Sequence, residues 1–162
     1  GKGEAAPPIK LASTDGTTFD LSALRGKRVL LYFQEGIGCQ PCWDQIKEIE
    51  ANPGAFQTLG IDVIVSITSD PLDVLKQKAT DERITTPILS DPGLGVSKTY
   101  DANSYGMMGA AKDGHSFILV GKDGVIEWRA DYGGSPNYTM QVPVSQLAAD
   151  IRKGLPAASG AS

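Results

Sequence analysis

The segment that restricts this chain most runs from Arg28 to Ile49 and contains its only two cysteines, in the tetrad Cys39-Gln40-Pro41-Cys42. Ahead of the tetrad, Arg28-Val29-Leu30-Leu31-Tyr32-Phe33 joins β-branched, aromatic and aliphatic residues in the pattern of a strand buried on both faces. A Gly-rich elbow follows, Glu35-Gly36-Ile37-Gly38, after which Cys42, Ile46 and Ile49 recur at helical spacing. The order strand, elbow, CxxC, helix puts Cys39 at a helix N-terminus. There, unpaired backbone N–H groups and the positive end of the helix dipole favour a thiolate over a thiol. Cysteines at i and i+3 can close and reopen a disulfide within one turn, and so small a loop adds little stability. The pair reads as a redox switch. A structural zinc site wants about four ligands, and the chain offers two thiols and one histidine.

The chain's 162 residues suit one domain with a real core. A net charge of −4 provides no basic field for nucleic acid or anionic lipid. No apolar run approaches the roughly 20 residues of a membrane span. Three regions are expected: a disordered stub or linker over 1–6, a folded domain over 7–154, and a disordered tail over 155–162. Such ends are expected either of a domain cut from a longer or tethered protein, or of cloning residue and ordinary frayed termini. Cysteine usage is compatible with either side of a membrane.

Along the rest of the chain, Ile9 to Ser13 reads as a short strand and Ile61 to Thr68 as a second central strand. The first helix is expected to end near Ala51, because Pro53 biases Asn52 away from helical geometry. Ser69-Asp70-Pro71 reads as a capped helix start, with Leu72, Val74, Leu75 and Ala79 following. Pro87-Ile88-Leu89 is a short extended piece, and a small helix is expected over 94–100. Ser116 to Val120, the turn Lys122-Asp123-Gly124, and Val125 to Ala130 form a hairpin pattern. An amphipathic helix closes the chain over 142–154, with Val144, Leu147, Ala148 and Ile151 inward. Trp128, Phe117 and Phe56 read as core, Met107 and Met108 as loop or packing residues. Gly133-Gly134-Ser135-Pro136 is a turn without a phosphate-binding pattern. The order predicts an α/β sandwich: a central mixed β-sheet with helices on both faces.

With the CxxC after its first long strand, this three-layer arrangement resembles the thioredoxin fold. Pro8-Ile9-Lys10-Leu11, together with Leu21-Ser22-Ala23-Leu24-Arg25-Gly26-Lys27 and the hairpin, resembles the redoxin branch (AhpC/TSA). That branch holds the peroxiredoxins and the TlpA- and ResA-type thiol–disulfide oxidoreductases of bacteria. Three departures stand out. Where peroxiredoxins carry Pro and Thr or Ser before the attacking cysteine, this chain has Tyr32 and Gly36; where they place Arg before the hairpin strand, it has Gly114. Peroxidase activity is therefore not expected. The cis-Pro that usually faces the CxxC is replaced by Asp113-Gly114-His115, so the resemblance implies that His115 faces the cysteines. The Trp that usually precedes the first cysteine is missing; Gly38 stands there, and Trp43 follows the second.

The resemblance implies a thiol–disulfide oxidoreductase in which Cys39 attacks a target disulfide and Cys42 resolves the mixed disulfide. Pro41 matches the reducing members. Glu35 is either the acceptor of the Cys42 proton or a solvated loop carboxylate. Tyr32 and Phe33 occupy the place where a polar or acidic strand residue often assists. The expected partners are protein disulfides or dithiols and an electron-donor thiol protein. The expected setting is extracytoplasmic (periplasmic or cell-surface), with or without a membrane tether outside this chain and with a cytoplasmic setting left open, and the expected state is a monomer without cofactor. The alternative is a Sco-like copper site of Cys39, Cys42 and His115, soft donors in an Asp-x-His-Ser context. Against it, Sco-type proteins space their cysteines CxxxC.

Overall fold

The computed structural model describes residues 2–104, 112–134, 139 and 141–155. Short β1 (Lys10–Ala12) and β2 (Thr18–Asp20) pair with each other, and a 3-10 turn follows over Leu21–Leu24. The main sheet comprises β3 (Val29–Phe33), β4 (Val63–Thr68), β5 (Ile88–Ser90), β6 (Ser116–Val120) and β7 (Ile126–Asp131), in the order β5-β4-β3-β6-β7. β3 runs parallel to β4 and antiparallel to β6, so the sheet is mixed. The helices are α1 (Gln40–Ala51), α2 (Pro53–Gln57), α3 (Leu72–Asp81), α4 (Gly95–Thr99) and α5 (Val144–Gly154).

Every residue of β3 is buried, because its side chains serve two cores in alternation. Leu30 and Tyr32 pack with Cys42, Trp43 and Ile46 of α1, Leu75 of α3, and Leu147 and Ile151 of α5. Val29, Leu31 and Phe33 pack with Ile9, Tyr100 and Ala102 on the opposite face, and Val96 of α4 leans on that cluster. Helices thus flank a central mixed sheet, the thioredoxin-like arrangement. Helix α1 ends where expected, Pro53 opening α2 immediately after the break at Asn52.

Two local expectations need correcting. Residues 3–6 are not a disordered stub: Gly3 N–H donates to Ile126 O (2.8 Å), Ile126 N–H to Glu4 O (2.9 Å), and Ala6 N–H to Gly124 O (2.9 Å). The segment satisfies the free edge of the hairpin, which low sequence complexity does not reveal. Nor does Asp70 cap α3, whose N-cap is Pro71 with no side-chain bond. Its carboxylate is used in the elbow. Residues 156–162, and Met107 and Met108, lie outside the described residues.

Candidate active site

Strand β3 delivers the chain to the elbow, and the elbow is pinned from three sides. Cys39 N–H donates to Gly36 O (3.0 Å), closing a turn with Ile37 and Gly38 at its corner. The Trp43 indole N–H donates to the same carbonyl (3.0 Å). Ile37 N–H donates to Asp70 Oδ2 (2.9 Å), and Lys112 Nζ stands 3.4 Å from Asp70 Oδ1. Gly36 has φ +111°, and a Cβ there would collide with the Asp70 carboxylate, so glycine is required on both counts.

Cys39 is the N-cap of α1 and forms a disulfide with Cys42, Cα to Cα 5.4 Å. Cys39 keeps 8% of its surface exposed, while Cys42 keeps none. A reagent in solvent therefore meets Cys39 first. Pro41 lies exposed in the first turn of α1, and Trp43, two residues on, is fully buried. Half-buried Glu35 acts electrostatically on Tyr32; burial first, and this carboxylate second, push the Tyr32 phenol well above its usual range.

His115 does not stand as an open ligand at the cysteines. It is fully buried, with Nδ1 3.1 Å from the Tyr32 hydroxyl and Nε2 3.0 Å from Gln45 Oε1. Tyr32 in turn approaches Cys42 O at 3.3 Å, so His115 reaches the redox pair only through the phenol. The proton positions follow from Gln45. Its Nε2 donates to Val142 O (2.9 Å), and its Oε1 accepts from Val142 N–H (2.6 Å). The atom facing His115 is thus an acceptor, so His115 Nε2 carries the hydrogen and Nδ1 accepts from Tyr32. Desolvation pushes the His115 pKa down to about 3, which keeps the ring neutral.

These bonds bear on the copper alternative. Both imidazole nitrogens are engaged, and among the described residues no three His, Cys, Asp or Glu side chains are gathered as a metal site. The donor set of Cys39, Cys42 and His115 does not fit a metal as folded.

Gly114 explains the missing proline. Its N–H donates to Ala102 O (2.9 Å), a bond proline cannot make. Asp113, beside it, is fully buried, and its Oδ1 has no partner. Ser97 Oγ lies 2.9 Å from Asp113 Oδ2 and 2.7 Å from Asp91 Oδ2, and its single hydrogen serves only one of them. Asp91 also accepts from the N–H groups of Val96 and Ser97. Burial first, with Asp91 adding to it, pushes the Asp113 pKa up to about 7, which favours its protonated form below neutral pH.

The structure places Cys39, Pro41, Cys42 and Trp43 together at the start of α1 and adds Gln45, Asp70 and Tyr32, whose contacts there the sequence pattern does not indicate. Gln45 sits on the apolar face of α1 beside Cys42, and a polar residue at such a position was the available signal.

The AhpC/TSA family model matches residues 2–129. A putative peroxiredoxin of Mycobacterium tuberculosis is 33% identical over 129 residues, covering 76% of this chain and 80% of that protein. The thiol-disulfide oxidoreductase ResA of Halalkalibacterium halodurans is 29% identical over 98 residues, covering 60% of this chain and 55% of that protein. Among solved structures, peroxidoxin BcpB of M. tuberculosis aligns with a TM-score of 0.73 at 18% identity, covering 94% of this chain and 96% of that one. Its likeness is one of fold.

Proposed function

The chain belongs to the AhpC/TSA family of redoxins, and within that family we propose that it reduces disulfides of other proteins through Cys39 and Cys42. The observation that carries the reading is the unequal exposure of a closed Cys39–Cys42 pair at a helix N-terminus. In the reduced form, Cys39 thiolate attacks one sulfur of a target disulfide, forming a Cys39–target bond and releasing the other target sulfur as thiolate. Cys42, deprotonated, then attacks Cys39 sulfur and expels the second target thiolate. The target gains two electrons, and the protein is left as the disulfide. The helix dipole favours the Cys39 thiolate, and burial of Cys42 delays it until the mixed disulfide has formed.

A turnover consumes two electrons, so a thiol protein must restore the dithiol. Targets of this kind persist in oxidising compartments, which supports a setting outside the bacterial cytoplasm. Relatives named peroxiredoxins favour a second reading, in which Cys39 thiolate attacks a peroxide and Cys42 closes the disulfide on the resulting sulfenic acid.

Single-turnover oxidation of the reduced protein separates the readings. Oxidation by a cystine peptide far faster than by hydrogen peroxide, abolished by Cys39→Ser, is the expected result. The reverse order of rates would make the protein a peroxidase. Retained disulfide reduction in Cys39→Ser would overturn the role of Cys39.

A further inference from the structure

Among the described residues Ile37 is the one large apolar side chain left exposed, at 41%. A single exposed isoleucine is ordinary on a protein surface, but this one is held in place. It occupies the corner of the turn that ends on Cys39, with its own N–H on the Asp70 carboxylate. The preceding carbonyl takes both the Trp43 indole and the Cys39 N–H. Asp70, itself only 6% exposed, is thereby committed to fixing a backbone that ends in an outward isoleucine.

The next residue leaves room for a visitor: nothing lies within 4 Å of where a Cβ on Gly38 would stand. On the helix side of Cys39 the surface is polar. Gln40 bonds Asp44, Glu82 and Lys78, and Lys47 pairs with Glu82. Thiol–disulfide exchange adds its own condition, since the attacked sulfur must come into contact with Cys39 and the chain carrying it must cross the neighbouring residues.

We propose that Ile37 is a specificity residue and that the substrates are polypeptides with an apolar side chain beside the cystine. The inference rests on the disulfide-reductase reading and names its substrate class. The apolar side chain buries the exposed face of Ile37 as the target strand passes over Gly38, and this holds the attacked sulfur at Cys39. The exchange itself proceeds as written above, with Cys39 bonded to one target sulfur and the other leaving as thiolate.

The test mixes pre-reduced protein with excess oxidant and follows formation of the protein disulfide by acid quench and mass. Three oxidants are compared: a cystine peptide flanked by leucine, the same peptide flanked by serine, and hydroxyethyl disulfide. Ile37→Ser is expected to slow the leucine peptide about tenfold, the equivalent of one apolar contact, and to leave the other two within about twofold of wild type. Ile37→Leu should restore the rate. Equal slowing on all three oxidants, or none on the leucine peptide, overturns the inference while leaving the reductase reading intact. Wild-type protein that reduces none of them overturns the reading and the inference with it.

Discussion

Nε2 of His115 lies 3.0 Å from Oε1 of Gln45, and the bonds Gln45 makes to Val142 leave that nitrogen only the donor's role. The two residues belong to β6's leading edge and α1, and together they tie the helix that starts at the cysteines to the chain entering α5. The Tyr32 hydroxyl completes the row beneath Cys42. A histidine that resemblance implied as a metal ligand is instead a neutral strut, because burial opposes its charge and each nitrogen has a fixed partner.

This arrangement makes a spectroscopic prediction. Long-range proton–nitrogen NMR should show His115 with a bare Nδ1 and a protonated Nε2 at neutral pH, in oxidised and reduced protein alike. Gln45→Leu should cost about 2–4 kcal/mol in urea unfolding, since it strands both Val142 backbone groups and the His115 N–H in the core. A cost under about 0.5 kcal/mol, the range of an ordinary surface change, would deny the network its place.

The elbow yields a second prediction. Asp70→Asn keeps an oxygen for Ile37 N–H and should cost less than about 1 kcal/mol, the ion pair with partly exposed Lys112 being weak. Asp70→Ala removes the acceptor and should cost about 1–3 kcal/mol. Gly36→Ala meets both a positive φ and the carboxylate, so its cost should exceed about 1 kcal/mol. Equal stability of Asp70→Asn and Asp70→Ala would show that the bond to Ile37 does not hold the turn.

Trp43 reports the redox state. Its ring is buried next to Cys42 with its N–H on Gly36 O, so opening the disulfide changes its surroundings directly. Titration in dithiothreitol or glutathione buffers should give a reversible two-electron midpoint near or below about −270 mV, the thioredoxin range, as a disulfide reductant requires. The neutral His115 is consistent with that range, since it adds no positive charge to favour the thiolates. A midpoint near about −120 mV would mark an oxidant. Trp43→Phe leaves Trp128 as the remaining tryptophan, so any redox-dependent signal that survives in it is the background to subtract.

The strand–elbow–helix order was legible because periodicity and glycine placement record it locally: β3 and α1 lie where Val29–Phe33 and Cys42, Ile46, Ile49 put them. What was not legible depends on contacts across long stretches of chain. Asp70 reads as a helix cap from its neighbours, yet its partner is Ile37, brought near by the β3–β4 crossover. The pairing of residues 3–6 with the hairpin leaves no trace in a segment of small residues. Likewise the tautomer of His115 is decided by Gln45 and Val142, which no local pattern joins to it.

The last prediction concerns acid and base, and two buried groups near the site pull in opposite directions. Asp113 has a folded pKa raised to about 7. The folded state therefore holds its proton more tightly than the unfolded chain. The stability this contributes is full below about pH 4, the carboxyl's unfolded pKa, and is lost as pH rises through about 7. His115 has its folded pKa lowered to about 3. Its contribution is full above about pH 6.5 and is lost as pH falls through about 3. Between about pH 4 and 6.5 the unfolded state binds the histidine's proton and the folded state the aspartate's, so the two slopes cancel. Asp91, across Ser97, and Lys112 face the aspartate and remain in every variant. Asp113→Asn imitates the protonated acid and leaves only the histidine, so stability should rise with pH relative to wild type, by up to about 1.4 kcal/mol per pH unit. His115→Asn leaves only the aspartate, and stability should fall with pH relative to wild type at a comparable rate. Urea unfolding at three pH values across the window measures both slopes, and background carboxylates cancel in the comparison. Parallel lines for the three proteins would show that neither group is held in the protonation state that burial favours.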